Sequence, residues 1–220
     1  MPPPVDLIEL PALPPSMPRR GNAFTRALGR TVIRLLGWRI EGAFPDTPKF
    51  VMIGAPHTSN WDGVVGLSAA MALGIEIHVF AKHTLFWGPM GWALRALGGI
   101  PVDRSSPMRS TLIEAAVHEF ATREAFILGV APEGTRSKAP RWKTGFHRIA
   151  MAADMPVVLI ALDHGNKRVG PIATLTMTGD LARDLTTIAA IYRPIQGKNP
   201  ENTTLPSAAQ LGGSEASLPS

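Results

Sequence analysis

Cysteine is missing from all 220 residues of the sequence. Without thiols, the chain cannot form a disulfide scaffold, a cysteine-ligated zinc or iron–sulfur site, or a thiol nucleophile. Any nucleophile, base or metal ligand must therefore be His, Asp, Glu, Ser, Thr or Lys. The lack of cysteine also fits the reducing environment of a cytosol.

Long apolar runs are missing too. A helix that crosses a bilayer needs about 20 consecutive apolar residues, but the two best windows, 63–81 and 84–102, are interrupted by Glu76 and Arg95. Residues 1–18 are rich in proline and lack the basic start and unbroken apolar core of a secretory signal. We therefore expect a protein that is soluble or lies on a membrane surface.

Aromatic residues are scarce, at 6% with a single tyrosine, although Lys and Arg (22) outnumber Asp and Glu (17) and the sequence pI is about 10.1. The basic balance raises the alternative of a nucleic-acid-binding protein. However, the basic residues are not interleaved with aromatic residues on which bases could stack. We therefore expect no nucleic-acid partner.

Positive charge is concentrated near the N terminus, where residues 19–40 contain six arginines and no acid. At roughly 100° per residue, Arg26, Arg30 and Arg34 lie opposite an apolar face. Such an amphipathic helix over residues 20–40 fits an anionic membrane surface. It could equally pack its apolar face on its own domain, and both can hold together. The predicted apolar face comprises Phe24, Leu28, Thr31, Val32, Leu35, Leu36 and Trp38.

The rest of the chain alternates between short β-branched runs and helical stretches, which predicts a single α/β domain with a mostly parallel central sheet flanked by helices. We place this domain at 20–195, between a Pro-rich N-terminal segment (1–19) and a polar tail (196–220) expected to be disordered. The predicted strands are 49–54, 75–80, 99–102, 125–130, 156–163 and 172–177. The predicted helices are 63–73, 89–97, 107–123, 145–154 and 181–192.

The first candidate site follows the predicted strand 49–54, where A-P-H-T-S-N-W-D contains His57 and Asp62. Functional residues in α/β proteins collect on loops at the carboxyl ends of strands. The two side chains can meet only if loop turns into helix between them, since i and i+5 differ by about 140° on a helix. A carboxylate on one imidazole nitrogen would make His57 a general base. Alternatively, Asp62 only caps the helix together with Ser59.

Three further polar clusters each follow another predicted strand. A-P-E-G-T-R-S-K (131–138) surrounds a Gly-Thr turn whose backbone amides, with Arg136, suit a phosphate. Lys82 with His83, and Asp103 with Arg104, follow two other strands. Each cluster alone is also compatible with ordinary solvated surface, but together they would converge on one rim of the sheet.

In order and spacing, H-T-S-N-W-D, G-I-P-V-D-R and P-E-G-T-R-S resemble the blocks of the glycerolipid acyltransferases, most closely the 1-acylglycerol-3-phosphate (lysophospholipid) acyltransferases. The resemblance covers about Gly37 to Tyr192. It implies an O-acyltransferase that moves a fatty acyl group from acyl-CoA or acyl carrier protein to the hydroxyl of a lysophospholipid, without a metal or a further cofactor. It also implies a peripheral enzyme on the inner, cytoplasmic face of an anionic membrane.

The same resemblance implies roles for individual residues. His57 would be the base and Asp62 its partner, while Lys82 would lie near the acceptor's phosphate. The residues implied to bind the acceptor's glycerol phosphate are Arg104, Glu133, Gly134, Thr135 and Arg136.

Two departures from the family pattern leave the acceptor open: Leu159 replaces the second proline of an apolar block, and Pro56 stands where many members have Asn before the histidine. Lysophosphatidate, another lysophospholipid or a lyso-aminolipid all remain candidates, as do hydrolysis of the thioester and a membrane-binding scaffold without catalysis. Phe86, Trp87, Met90 and Trp92 could form a wall for the acyl chain or serve as core or interface anchors.

Overall fold

The computed structural model describes residues 10–102 and 110–207. These parts contain seven strands and six α-helices. The strands are β1 (Arg39–Ile40), β2 (Lys49–Ala55), β3 (Val79–Lys82), β4 (Gly99–Val102), β5 (Phe126–Val130), β6 (Val157–Asp163) and β7 (Arg168–Leu175). The helices are α1 (Ala23–Leu35), α2 (Asn60–Leu73), α3 (Gly88–Ala96), α4 (Ser110–Thr122), α5 (Gly145–Ala153) and α6 (Leu181–Tyr192).

Five strands form the central sheet in the order β1-β7-β6-β2-β5. All neighbours in it are parallel except the hairpin pair β6 and β7. Strands β3 and β4 form a separate parallel pair, which a bridge between His78 and Leu128 connects to the edge strand β5. The predicted α/β domain with a mostly parallel sheet is confirmed.

The sheet is covered on both faces, which explains why its central strands are apolar without interruption. Every residue of β6 is buried. Along this strand Val157 and Leu159 face a core that includes α4, α5 and α6, whereas Val158 and Ile160 face a second core that includes α1 and α2. Because β6, β2 and β5 are adjacent and parallel, their carboxyl ends lie side by side, and the loops that leave them can share a site.

The single tyrosine of the chain fastens α6 to the centre of the sheet. Tyr192 is fully buried. Its hydroxyl lies 2.9 Å from the carbonyl oxygen of Ile53 in β2 and 3.1 Å from that of Ile160 in β6. The two strands that present the candidate site thus share a buried polar contact, which favours a fixed distance between them.

Helix α1 packs on α2 through a face that the sequence did not predict. Of the predicted apolar face, Trp38 is buried and Leu36 is packed against the same core, but both follow the last residue of the helix. Gly29 and Ile33 are its buried residues, and a Cβ at Gly29 would lie 2.5 Å from the backbone nitrogen of Ala72. The bulky residues Phe24 (74% exposed) and Leu35 (81% exposed) point to solvent instead. Helix α1 therefore both docks on its domain and presents an apolar surface.

None of the helices in the described ranges combines the length and the apolar character needed to cross a bilayer.

The folded part of the chain extends beyond the predicted limits of 20–195. On the N-terminal side Met17 is buried and Arg19 bridges to Ile75. On the other side residues 196–207 are packed on the domain, with a short 3₁₀ turn at Pro200–Asn202. The expected disorder is therefore wrong for residues 196–207, because side-chain hydrogen bonds hold this polar segment. Residues 208–220 lie outside the described residues.

Candidate active site

His57 lies just beyond the carboxyl end of β2, between the two acidic residues of the site. Its backbone N–H donates to Oε1 of Glu133 at 3.0 Å, and its ring Nδ1 lies 3.5 Å from Oδ2 of Asp62. The ring is 19% exposed, so a substrate can still reach it. Because Nδ1 faces the carboxylate, the other ring nitrogen, Nε2, is the atom available to accept a proton.

Asp62 reaches His57 because the chain turns from loop into helix at Ser59, the N-cap of α2. The backbone N–H groups of Thr58 and Ser59 both donate to Asp62 Oδ2 at 2.7 Å, and the carboxylate is fully buried. Asp62 and Ser59 form the capping box that the sequence allowed as an alternative. The same oxygen that closes this box also faces the imidazole, so the two roles coexist.

Glu133 follows β5 and is only 2% exposed. Burial raises the pKa of Glu133 to about 7 from an ordinary 4.5; the hydrogen bond from the His57 N–H opposes this rise, and the Asp62 carboxylate adds to it. Its second oxygen, Oε2, is buried and has no hydrogen-bond partner among the described residues. The neutral form of Glu133 therefore persists to a much higher pH than that of an ordinary Glu.

Burial also decides the charge state of His57. It lowers the pKa of His57 below the ordinary 6.5; the nearby Asp62 carboxylate opposes this fall and the Arg136 guanidinium adds to it. The imidazole is consequently neutral at pH 7, which is the form that can take up a proton.

The Gly-Thr turn after Glu133 is an exposed basic loop beside the histidine. Gly134 has a φ of +67° and lies under the side chain of Lys143, whose Nζ would be 2.6 Å from a Cβ at this position. Thr135 Oγ1 accepts from the Ser137 N–H at 3.2 Å, and Arg136 is exposed. The turn therefore presents the Arg136 guanidinium and the Thr135 hydroxyl to an anion from solvent.

The structure brings together the predicted residues His57, Asp62 and Glu133, with the Gly-Thr turn adjoining them. Lys82 is exposed at the end of β3, in the two-stranded sheet. Arg104 lies outside the described residues. Among the residues that the structure does describe, no group of three or more His, Asp or Glu is arranged to hold a metal ion.

Sequence reasoning missed His164, which contacts Asp62 from the side opposite His57. Its Nε2 lies 2.6 Å from Asp62 Oδ1. A usable signal was present, because the predicted strand 156–163 ends directly before this histidine. The rule that selected the other clusters, polar residues at the carboxyl end of a strand, also selects His164.

A second missed contributor is the segment 196–205. Asn199 donates from its backbone N–H to Thr58 Oγ1 (3.1 Å) and from its side-chain amide to the Thr58 carbonyl (2.8 Å). Thr204 donates its hydroxyl to the carbonyl of Ala139 (2.7 Å) and accepts from the indole N–H of Trp142 (2.6 Å). This segment therefore ties the loop of His57 to the loop after Glu133.

Comparison with known proteins places the chain in one family. A family model described as Acyltransferase matches residues 39–163, more than half of the chain. A 1-acyl-sn-glycerol-3-phosphate acyltransferase of Cocos nucifera is 31% identical over 151 residues, which cover 66% of this chain and 47% of that protein. One of Salmonella typhimurium is 27% identical over 163 residues, covering 70% and 64%. The matched region is thus about half to two thirds of these relatives' length.

A solved structure shares the fold. The crystal structure of the 1-acyl-sn-glycerophosphate acyltransferase PlsC from Thermotoga maritima aligns with a TM-score of 0.52 at 17% identity. The alignment covers 78% of this chain and 75% of that one.

Replacing Glu133 with Gln should change how stability depends on pH. Because the folded-state pKa is raised, the stability linked to Glu133 is complete below about pH 4.5 and is lost as the pH rises through 7. At about 1.4 kcal/mol per pKa unit, the wild type should lose up to about 3 kcal/mol relative to Glu133→Gln between pH 4.5 and 8. Urea unfolding across this range measures the difference.

Glu124→Gln, which removes an exposed carboxylate, is the matched control and should parallel the wild type. A constant difference between wild type and Glu133→Gln over the whole pH range would show that Glu133 titrates normally.

Proposed function

Because this chain belongs to the acyltransferase family, we propose that it transfers a fatty acyl group from a thioester donor to the hydroxyl of a lysophospholipid, with His57 as the general base. The resemblance found in the sequence blocks is confirmed at the level of the family. The observation that carries the proposal is the neutral imidazole of His57 beside the buried carboxylate of Asp62, at the carboxyl end of a central strand.

The reaction requires one proton to move twice. The acceptor hydroxyl gives its proton to His57 Nε2 while its oxygen attacks the thioester carbonyl. The C–S bond of the resulting adduct then breaks, and the departing sulfur takes the proton from the imidazolium. The Asp62 carboxylate stabilises that imidazolium through Nδ1. A thioester is already activated, so no covalent enzyme intermediate is needed, in keeping with a chain that has no cysteine.

The proposed acceptor carries a phosphate, most simply 1-acylglycerol-3-phosphate, which would give phosphatidic acid. Two features support it: the names of the curated relatives, and the exposed basic turn with Arg136 beside His57. Thr135 would add its hydroxyl from the same turn. Gly134, whose N–H donates to the Ala131 carbonyl at 3.1 Å, remains a predicted ligand together with Lys82 and Arg104. The buried Glu133 holds the His57 backbone, and its contact with the acceptor also remains a prediction.

A membrane surface is the proposed site of action, since the lipid substrate and product reside in a bilayer. Helix α1 supports this with its exposed apolar residues next to the exposed arginines Arg30 and Arg34. Trp87 and Trp92 are each 74% exposed, so they are not core residues and are free to contact lipid. We place the enzyme on the inner, cytoplasmic face of an anionic membrane.

Thiol release from oleoyl-CoA or oleoyl-acyl carrier protein, with and without lysophosphatidic acid, tests the reaction and its base. The wild type should release thiol only when the acceptor is present, and His57→Ala should lower this rate by roughly 10²–10⁴. Because the pKa of His57 is lowered, wild-type kcat/KM should hold until the pH falls below 6.5.

His118→Ala, on the exposed side of α4, is the control and should retain wild-type rates. Acceptor-independent release would identify a thioesterase instead. Release with other lysolipids but not with lysophosphatidic acid would move the proposal to a different acceptor.

Arg136→Gln should chiefly weaken use of a phosphorylated acceptor. The loss of one charge-assisted hydrogen bond should raise KM for lysophosphatidic acid by roughly 10-fold or more, with a smaller change in kcat. Arg141→Gln, in the same exposed loop, should leave this KM unchanged. An equal effect of Arg136→Gln on a monoacylglycerol acceptor would contradict phosphate binding.

Replacing Phe24 and Leu35 together with Ser should reduce binding to vesicles that contain anionic lipid, because both side chains are exposed and their loss leaves the packing of α1 intact. Arg30→Gln with Arg34→Gln should reduce binding to anionic vesicles more than to neutral ones. Vesicle sedimentation measures both effects.

Met151→Ser, which removes an exposed apolar side chain from α5, is the control and should not alter sedimentation. Unchanged partitioning of the α1 variants would rule out this helix as the membrane contact.

A further inference from the structure

We propose that His164 is a positioning residue that fixes the Asp62 carboxylate against His57, so that the site is a chain of three side chains, His57–Asp62–His164. The inference rests on the proposed function, because it assigns a role in orienting the base of that reaction. No block of the sequence that resembles the family contains His164.

Asp62 lies between the two imidazoles, with one oxygen toward each. Its Oδ2 is 3.5 Å from His57 Nδ1, and its Oδ1 is 2.6 Å from His164 Nε2. The carboxylate is fully buried and the His164 side chain is 15% exposed. A buried carboxylate oxygen without a donor is costly, and His164 is the donor that the structure gives to Oδ1.

The protonation of His164 follows from this contact. A carboxylate only accepts hydrogen bonds, so His164 must carry a proton on Nε2. The two oxygens of Asp62 then make different hydrogen bonds. Oδ2 is held by the helix-capping N–H groups of Thr58 and Ser59, while the bond to Oδ1 sets the rotation of the carboxylate plane. That rotation determines how Oδ2 meets the ring of His57.

His164 is itself held firmly, as a positioning residue must be. It follows β6, whose Ala161 pairs in register with Ala55 of β2, so it leaves the sheet beside His57. Its ring meets Trp38 edge-to-face at 4.7 Å, and its backbone N–H donates to the Gln196 carbonyl at 2.8 Å.

The preceding residue anchors the turn that carries His164. Asp163 is fully buried, and its carboxylate accepts from the side chains of Asn166 and Arg168 at 2.9 Å each. Although burial alone would raise the pKa of Asp163, these hydrogen bonds bring it below its usual range. The charged carboxylate of Asp163 therefore holds the turn after β6 in place.

The chain contains a matched control, a second buried pair that takes no part in the proposed reaction. His147 Nε2 lies 2.8 Å from Asp184 Oδ2, and both residues are at most 5% exposed. The other contacts of Asp184 come from Thr178, so this pair joins α5 to α6 on one side of the sheet. The pair His147–Asp184 resembles the pair His164–Asp62 in its burial and its hydrogen bond, but His57 does not contact it.

The experiment compares His164→Phe, His164→Gln and His147→Gln in acceptor-dependent thiol release. His164→Phe should lower kcat by roughly 10–100-fold, as expected when a catalytic group is displaced by about 1 Å, with KM for donor and acceptor nearly unchanged. His164→Gln keeps an N–H donor for Oδ1 and should recover most of kcat. His147→Gln should leave kcat unaltered even if the melting temperature falls. An unaltered kcat in His164→Phe would overturn the proposal, as would an equal loss of kcat in all three variants.

A measurement independent of turnover separates this inference from the proposed function. In ¹⁵N NMR of the histidine rings, His57 of the wild type should be the Nδ1–H tautomer, because Nδ1 faces Asp62. His164→Phe should shift it toward the Nε2–H tautomer, and His164→Gln should preserve the wild-type form. These results in a protein that transfers no acyl group would retain the positioning role and reject the reaction. If His164→Phe left the tautomer of His57 unchanged, the positioning role would be rejected.

Discussion

The structure around the site depends on the burial of one carboxylate. Asp62 has no exposed side-chain surface, and a charge removed from water has to be surrounded by donors. This single requirement accounts for where α2 begins, since the N–H groups of Thr58 and Ser59 are satisfied by Asp62 and not by the helix. It also places an imidazole on each side of the carboxylate. The helix cap and the contact with His57 thus use the same oxygen, so the structural role of Asp62 is compatible with its proposed role in catalysis.

The charge of the site is set more by burial than by ion pairing. At His57 burial outweighs the opposing Asp62 carboxylate and lowers the pKa, and at Glu133 burial raises the pKa to about 7. Both effects favour the neutral forms of these two side chains. The fixed positive charge lies outside, on the exposed turn that carries Arg136. Under the proposed function, this separation would let the phosphate of the acceptor stay near solvent while its glycerol hydroxyl approaches His57.

Apolar patterning and local spacing predicted much of the fold and of the site. The residues of the site that were missed depend on contacts between positions far apart in the sequence. Strands such as 99–102 and helices such as 181–192 were located from apolar patterning, because burial decides their composition. Strand β1 (Arg39–Ile40) was hidden inside the predicted helix 20–40, which stops early at Leu35, shortly before Gly37 with a φ of +70°. The loop that holds His57 and Asp62 was found from local spacing. The partners of that loop, His164 and the segment 196–205, are more than 100 positions away, and no local pattern reports a contact between such distant polar residues.

The polar segment 196–205 makes the site depend on residues that lie far from it in the sequence. Its hydrogen bonds from Asn199 reach back 141 positions to Thr58, and those of Thr204 reach back more than 60. Strands β2 and β5 and helix α2 all precede this segment, and the loops that follow the two strands are joined to each other where residues 196–205 pack on them. The arrangement of the His57 loop therefore depends on polar residues, Asn199 and Thr204, that belong to neither hydrophobic core.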